Sequence, residues 1–252
     1  MATRWVRGAL ILLCALAGIA AHWGSSNAQG CPTDALGFHY CCVPQQQLEV
    51  SVSGPALDTS FCVGTIIGGV CSGPAYLGRI NYDWRRGTFF VSTLLQYGSD
   101  ADAILNASDD FVVRGLSGPT TVTASLAVHY GFGGQANPEG CSAGTITGVL
   151  SSSIGLSVSD SRYSACEGSA TDMLLQTGLS VVPDATFRLG LNLRSWVRSD
   201  SFFAPWAKGE SLATLSFPDL PPGATVRSCK GYPDAVTGVT RATWAQVKAH
   251  YR

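Results

Sequence analysis

Apolar and polar residues alternate strictly from Thr121 to Tyr130. Val122, Ala124, Leu126, Val128 and Tyr130 fall on one side of an extended chain, and Thr121, Thr123, Ser125, Ala127 and His129 on the other. A period of two marks a half-buried β-strand, one face on a core and one in water. The period returns from Thr186 to Arg198, where Phe187, Leu189, Leu191, Leu193 and Val197 oppose Arg188, Asn192, Arg194 and Arg198. Leu48-Glu-Val-Ser-Val52 alternates too. The straight-chain helix formers Glu and Lys are scarce: the chain has four Glu and three Lys, and charged residues make up 13% of it, about half the usual share.

The remaining strand candidates are punctuated by turn residues. Phe61 to Val70 ends at Cys71-Ser-Gly-Pro74, and Leu77–Trp84 with Thr88–Tyr97 reads as a hairpin around Arg85-Arg86-Gly87. Phe111 to Leu116, two Ser/Gly/Thr-rich segments between Cys141 and Ser159, Asp172 to Val182, Leu212 to Phe217 and Ala224 to Cys229 complete the series. About ten short strands of this kind predict an all-β antiparallel sandwich, jelly-roll or Ig-like.

The N-terminal residues set the expected compartment. Arg4 and Arg7 precede an apolar run from Ala9 to Ala21, and Ser26 and Ala28 fit −3 and −1 of an expected signal-peptide cleavage site before Gln29, with cutting after Ala21 as the alternative. The run is too short for a comfortable permanent span, and no other segment is apolar enough to cross a membrane, so the expected location is secreted or cell-surface. Loss of the two arginines leaves a mildly acidic chain without a basic block, which argues against nucleic acid and anionic membranes as partners.

Of the nine cysteines, Cys14 lies in the leader, leaving Cys31, Cys41, Cys42, Cys62, Cys71, Cys141, Cys166 and Cys229. An even number in an exported chain reads as a disulfide framework. A zinc site lacks support, because no C-x-x-C occurs and His39, His129 and His250 are far apart. Cys62–Cys71 and Cys141–Cys166 would each close a local loop. The neighbours Cys41 and Cys42 do not bridge each other, and the expectation is that one takes Cys31 and the other Cys229.

The domain reading is a signal peptide over 1–28, an irregular Cys-rich segment over 29–47, a sandwich over 48–232 and a tail over 233–252. In the tail Thr243-Trp-Ala-Gln246 fits a capping box, and Trp244, Val247 and Tyr251 share one face of a short C-terminal helix.

Asp109-Asp-Phe-Val-Val-Arg-Gly-Leu-Ser-Gly-Pro119, the alternating Thr121 to Tyr130, Ala185-Thr-Phe-Arg-Leu-Gly-Leu-Asn-Leu193 and the segment Ala213 to Tyr232 follow one another in that order. Over 101–232 the chain thereby resembles exported bacterial β-sandwich proteins of the kind often carrying a PEP-CTERM sorting signal. The resemblance implies a fold and a habitat, not a chemistry. The Pro-Glu-Pro motif, membrane helix and basic tail of such proteins are not in this sequence.

The one Gly-x-Ser-x-Gly match, Gly140-Cys-Ser-Ala-Gly144, opens a Ser/Gly/Thr-rich strand candidate with no helix pattern after it, so it does not read as a nucleophile elbow, and His129 alternates outward on its strand. Asp83, Asp160, Glu167, Asp172 and Glu210 offer no evident pair for glycoside hydrolysis. Asp100, Asp102, Asn106, Asp109 and Asp110 form a weak calcium candidate in what reads as an acidic turn, and Asn106-Ala-Ser108 fits a glycosylation acceptor. No cofactor motif is present. Phe202, Phe203 and Trp206, in a loop after the longest strand, give a stacking surface for sugars or partners. Tyr82, Trp84, Tyr130 and Phe132 near strand ends either join such a surface or plug the sandwich. The expected function is an exported structural or interaction protein of the cell surface or extracellular matrix, without catalytic activity, whose partner is a surface glycan or another extracellular protein. The alternatives are a carbohydrate-binding module using the loop aromatics and a secreted hydrolase.

Overall fold

The computed structural model describes residues 30–41, 46–67, 70–96, 100–134, 136–137, 140–165, 169–199 and 206–232. Fourteen strands occur among them: β1 (Asp34–Cys41), β2 (Gln46–Val52), β3 (Ala56–Ile67), β4 (Val70–Asp83), β5 (Thr88–Leu95), β6 (Asp100–Arg114), β7 (Thr120–Gly134), β8 (Ala136–Asn137), β9 (Gly140–Ser152), β10 (Val158–Ala165), β11 (Ser169–Val181), β12 (Thr186–Ser199), β13 (Ala207–Ser216) and β14 (Thr225–Ser228). They form two antiparallel sheets. The first runs β10-β9-β12-β6-β1-β2, with β14 also on β6 and β8 on β9, and the second runs β11-β7-β13-β5-β4-β3. The expected all-β sandwich class is observed. The leader and the tail helix lie outside the described residues.

Alternation decides what each strand contributes. Inward positions of the first sheet include Phe38, Leu105, Phe111, Ile146, Leu189, Leu193 and Val197, and those of the second include Tyr76, Ile80, Phe89, Leu126, Tyr130, Leu175 and Leu215, all buried in one core. One part of this core is an aromatic cluster. Phe111 lies within 6.1 Å, centroid to centroid, of Trp84, Phe187, Phe217 and Tyr232, and Trp84 meets Phe89 edge-on at 4.8 Å. Tilted and edge-on pairs at these spacings are favourable geometries for aromatic rings. Tyr82, Trp84, Tyr130 and Phe132 are all buried, so these four fill the sandwich rather than present a surface.

The expected hairpin forms, with β4 and β5 joined by a turn in which Arg86 N–H donates to Asp83 O and Gly87 N–H to Trp84 O. Gly87 has φ 61°, a left-handed conformation that a glycine adopts without strain.

Two segments differ from their sequence reading. The stretch expected to be irregular over 29–47 contains β1, an interior strand paired with β2 on one side and β6 on the other. Leu36, Phe38 and Tyr40 alternate inward there, a pattern disguised by Gly37 and the cysteines around it. The acidic stretch expected to be a turn is β6, the interior strand that pairs with β1, β12 and β14. Ala101, Ala103, Leu105, Ala107, Phe111 and Val113 face the core, and most of the carboxylates point the other way.

The disulfide expectation at the chain's ends is corrected. Cys31 bonds directly to Cys229, with Cα atoms 5.6 Å apart, so neither takes Cys41 or Cys42. Register explains the pairing. β1 and β14 occupy successive lengths of the same edge of β6, β1 opposite residues 100–106 and β14 opposite 111–114. Continued a few residues, both chains reach Asp110, where Cys229 N–H donates to the Asp110 carbonyl. The bridge therefore closes the seam between the first and last described strands of the first sheet. Cys62 is also disulfide-bonded, to a partner outside the described side chains. The side chains of Cys41, Cys42, Cys71, Cys141 and Cys166 lie outside the described residues.

Candidate functional site

The outward face of the first sheet carries a row of polar and aromatic residues in register across six strands. Gln47 of β2 stands opposite His39 of β1, His39 opposite Asp102 of β6, and Asp102 opposite Trp196 of β12. Trp196 stands opposite Thr145 of β9, and Thr145 opposite Tyr163 of β10. Antiparallel neighbours in register project to the same face, so these six side chains share one surface. Tyr163 is 68% exposed, Trp196 is half-buried, and two strand spacings of about 10 Å separate them.

Beneath this row is a depression of about 310 Å³ lined by His39, Tyr40, Gln47, Asp102, Arg194 and Trp196, among others. Asp102 anchors it. Arg194 donates to Asp102 Oδ2 from Nε at 3.0 Å and from Nη2 at 2.5 Å, and His39 Nδ1 lies 3.0 Å from Asp102 Oδ1. This His39 approach lies off hydrogen-bonding angle, and Asp102 Oδ1 and His39 Nε2 are buried atoms without a hydrogen bond among the described residues. From the core side the Tyr76 hydroxyl donates to the Asp102 carbonyl at 2.6 Å, and burial raises its pKa well above the ordinary tyrosine value. Tyr76 thus stays a neutral donor that pins β6 beneath the site.

A second depression of about 300 Å³ lies further along the same two strands, lined by Asn106, Ser108, Gly190, Asn192, Ser151 and others. Asn192 Nδ2 donates to Asn106 Oδ1. Between the two depressions stands the row Gly37, Ile104 and Arg194. At the far end Arg188 donates to Asp110 through Nε at 2.7 Å and Nη2 at 3.0 Å. The face therefore combines amides, an imidazole, hydroxyls and paired charges with two aromatic rings, along a track following β6 and β12.

The candidate residues read from the sequence fall in different places. Asp100, Asp102 and Asp110 line the outward face of β6, Asp102 held by Arg194 and Asp110 by Arg188, while Asp109 points inward. A strand rise of about 3.3 Å per residue spreads them, and the structure does not bring the four together. Among the described residues the geometric cluster of metal-ligand types is Cys31, Asp109 and Cys229, whose two sulfurs are already joined. Trp206 lies beside Gly133, exposed to 37%, and its carbonyl accepts from Ser142 Oγ. Phe202 and Phe203 lie outside the described residues. His129 stands opposite Asp172 on the outward face of the second sheet, Nδ1 to Oδ1 2.5 Å. Asp83, Asp160 and Glu210 sit beside Arg85, Arg162 and Lys208.

Sequence reasoning missed Trp196, Tyr163, His39 and Arg194 as a set. The signal for Trp196 was its parity with Arg188, Asn192, Arg194 and Arg198, which put a large aromatic on the wet face of β12. The rest needed the register.

No family model matches the chain, and no curated protein does. Among solved structures, that of TmCBM61, a module in complex with beta-1,4-galactotriose, aligns with 53% of this chain and 83% of its own at 9% identity and a TM-score of 0.24. A likeness at that score carries no argument.

Proposed function

We propose that the chain is an exported, non-enzymatic interaction protein of the cell surface or matrix, and that its outward β6–β12 face binds a neutral glycan. The observation that carries this reading is the in-register row Gln47, His39, Asp102, Trp196, Thr145 and Tyr163 over the depression. A pyranose ring has an apolar C–H face that stacks on an aromatic ring and hydroxyls that need planar donors and acceptors at its rim. Trp196 and Tyr163 supply the first; Asp102, Arg194, His39, Asn106 and Asn192 supply the second. Charge supports a neutral ligand, because Asp102 and Asp110 on this face are each paired with an arginine, Arg194 and Arg188. The Cys31–Cys229 bridge fits an oxidising, extracellular location, and among the described residues no helix is long and apolar enough to cross a membrane. The likeness of residues 101–232 to exported bacterial β-proteins supports the same habitat.

The test is a glycan array with the purified chain and its Trp196→Ala, Tyr163→Ala and Trp206→Ala variants. The reading expects a neutral oligosaccharide hit that weakens at least about tenfold, some 1.4 kcal/mol, on loss of Trp196. It expects Trp206→Ala to bind as the parent does. A hit that survives Trp196→Ala, or an array blank for all neutral glycans, rejects it.

A further inference from the structure

The most unusual chemistry in the molecule lies behind the Cys31–Cys229 seam. The two registers that bring those cysteines together on the outside also place Asp34 and Lys230 side by side on the inside of β6, next to Ala107 and Asp109. Lys230 Nζ is 2.6 Å from Asp34 Oδ1, and both side chains are fully excluded from solvent. Nζ also donates to the Ser108 carbonyl at 2.9 Å and sits 5.4 Å from the centre of the Trp84 ring. The Asp34 carboxyl collects three further donors. Ser108 N–H donates to Oδ1 at 3.0 Å, Trp84 Nε1–H to Oδ2 at 3.2 Å, and the Tyr82 hydroxyl to the same carboxyl. Beside them Asp109, itself fully buried, accepts from the Lys230 and Asp110 amides.

A charge pair this deep in a core is costly to desolvate and gains little over an apolar replacement. An amine in contact with a carboxyl, dry and locked, has a second way to lose its charge. We infer that Lys230 Nζ and the Asp34 side chain condense within the folded chain to an intramolecular amide linking the first described strand to the last.

The step balances without a co-reactant. The ammonium of Lys230 passes a proton to Asp34 Oδ1 across their hydrogen bond, leaving a neutral amine and acid. The Nζ lone pair then attacks Asp34 Cγ, forming the N–C bond, and the carbonyl electrons move onto Oδ2. Trp84 Nε1–H is already aimed at that oxygen, the arrangement that stabilises a developing oxyanion. Collapse breaks the Cγ–Oδ1 bond, and Oδ1 leaves with its proton and one from nitrogen as water. The product is a secondary amide, which keeps a carbonyl for Trp84 and an N–H for the Ser108 carbonyl. Burial raises the Asp109 pKa above its ordinary value, so this neighbouring carboxyl resists adding a second negative charge to the site. Fixed contact distance and exclusion of water are the conditions under which a weak pair of reactants becomes efficient.

This inference is independent of the glycan reading and is tested on the intact folded chain. Mass spectrometry after reduction of the disulfides should find the protein lighter than its sequence by one water. Trypsin should not cut after Lys230, and the digest should yield one branched species joining the Asp34 and Lys230 peptides. Lys230→Arg should restore the full mass, and Asp34→Asn should reach the same linked mass as the parent by expelling ammonia. Parent protein at full mass with the two peptides separate overturns the inference. So does a water loss confined to a single peptide, as a succinimide would give.

Discussion

Replacing Cys31 and Cys229 with alanine removes a bridge that joins residues 198 positions apart. By loop-closure entropy such a link lowers the entropy of the unfolded chain by about 18 cal/mol/K, or about 5 kcal/mol at 25 °C. An Asp34–Lys230 amide spans nearly the same loop, with a separation of 196. With that amide present the disulfide closes only a ring of about six residues, from Cys31 to Asp34 and from Cys229 to Lys230, and its contribution falls to about 2 kcal/mol. The same double substitution should therefore cost about 2 kcal/mol in the parent and about 5 kcal/mol in an Asp34→Asn/Lys230→Met background. That background cannot condense but keeps one side-chain acceptor at position 34, for either Ser108 N–H or Trp84 Nε1–H. Urea unfolding of the four proteins at one pH measures the coupling, about 3 kcal/mol, as a double-mutant cycle. Any bridge made by Cys62 is common to all four and cancels. Equal losses in both backgrounds, within about 0.5 kcal/mol, would refute the redundancy and with it the nested cross-links.

Two further outcomes follow from the core. Asp109 has its pKa raised by burial, opposed by hydrogen bonds from Ser228 and from the Lys230 and Asp110 amides. An acid whose folded pKa lies above its unfolded one holds more protons when folded, so its contribution is full at low pH and is lost as pH rises through the folded value. Asp109→Asn should remove that decline, and its Tm should gain on the parent's as pH is raised from the ordinary carboxylate range toward neutrality. Gly78 faces the core where an added Cβ would collide with the Tyr76 hydroxyl and the Phe38 ring. Gly78→Ala should destabilise by about 1–3 kcal/mol in urea unfolding.

How far the sequence spoke depended on whether a residue's environment was local. β7 and β12 were legible because their inward and outward residues alternate without interruption, and the β4–β5 hairpin because Arg85-Arg86-Gly87 interrupts two apolar runs. β1 was not, since Gly37 and a cluster of cysteines break the apparent pattern while Leu36, Phe38 and Tyr40 still face inward. β6 was misread for an electrostatic reason. Acidic residues 100–110 resemble a solvated turn until Arg188, 78 positions on, is set opposite Asp110 and Arg194, 92 positions on, reaches diagonally to Asp102. Lys230 stood in plain view in Ser-Cys-Lys-Gly-Tyr, yet nothing local says that it is buried, because its partner is Asp34 at the other end of the chain. The candidate glycan face was half visible: Trp196 had the right parity on β12, but Tyr163 and His39 join it only through β9 and β6.

The claim that matters most for function is that the β6–β12 face, not the loop around Trp206, receives the sugar. A crystal of the chain grown with its best neutral oligosaccharide addresses this directly. A sugar ring stacked on Trp196, with hydroxyls bonded to Asp102 and Arg194, is the expected result; a sugar seated against Trp206 with the β6–β12 face bare would contradict it.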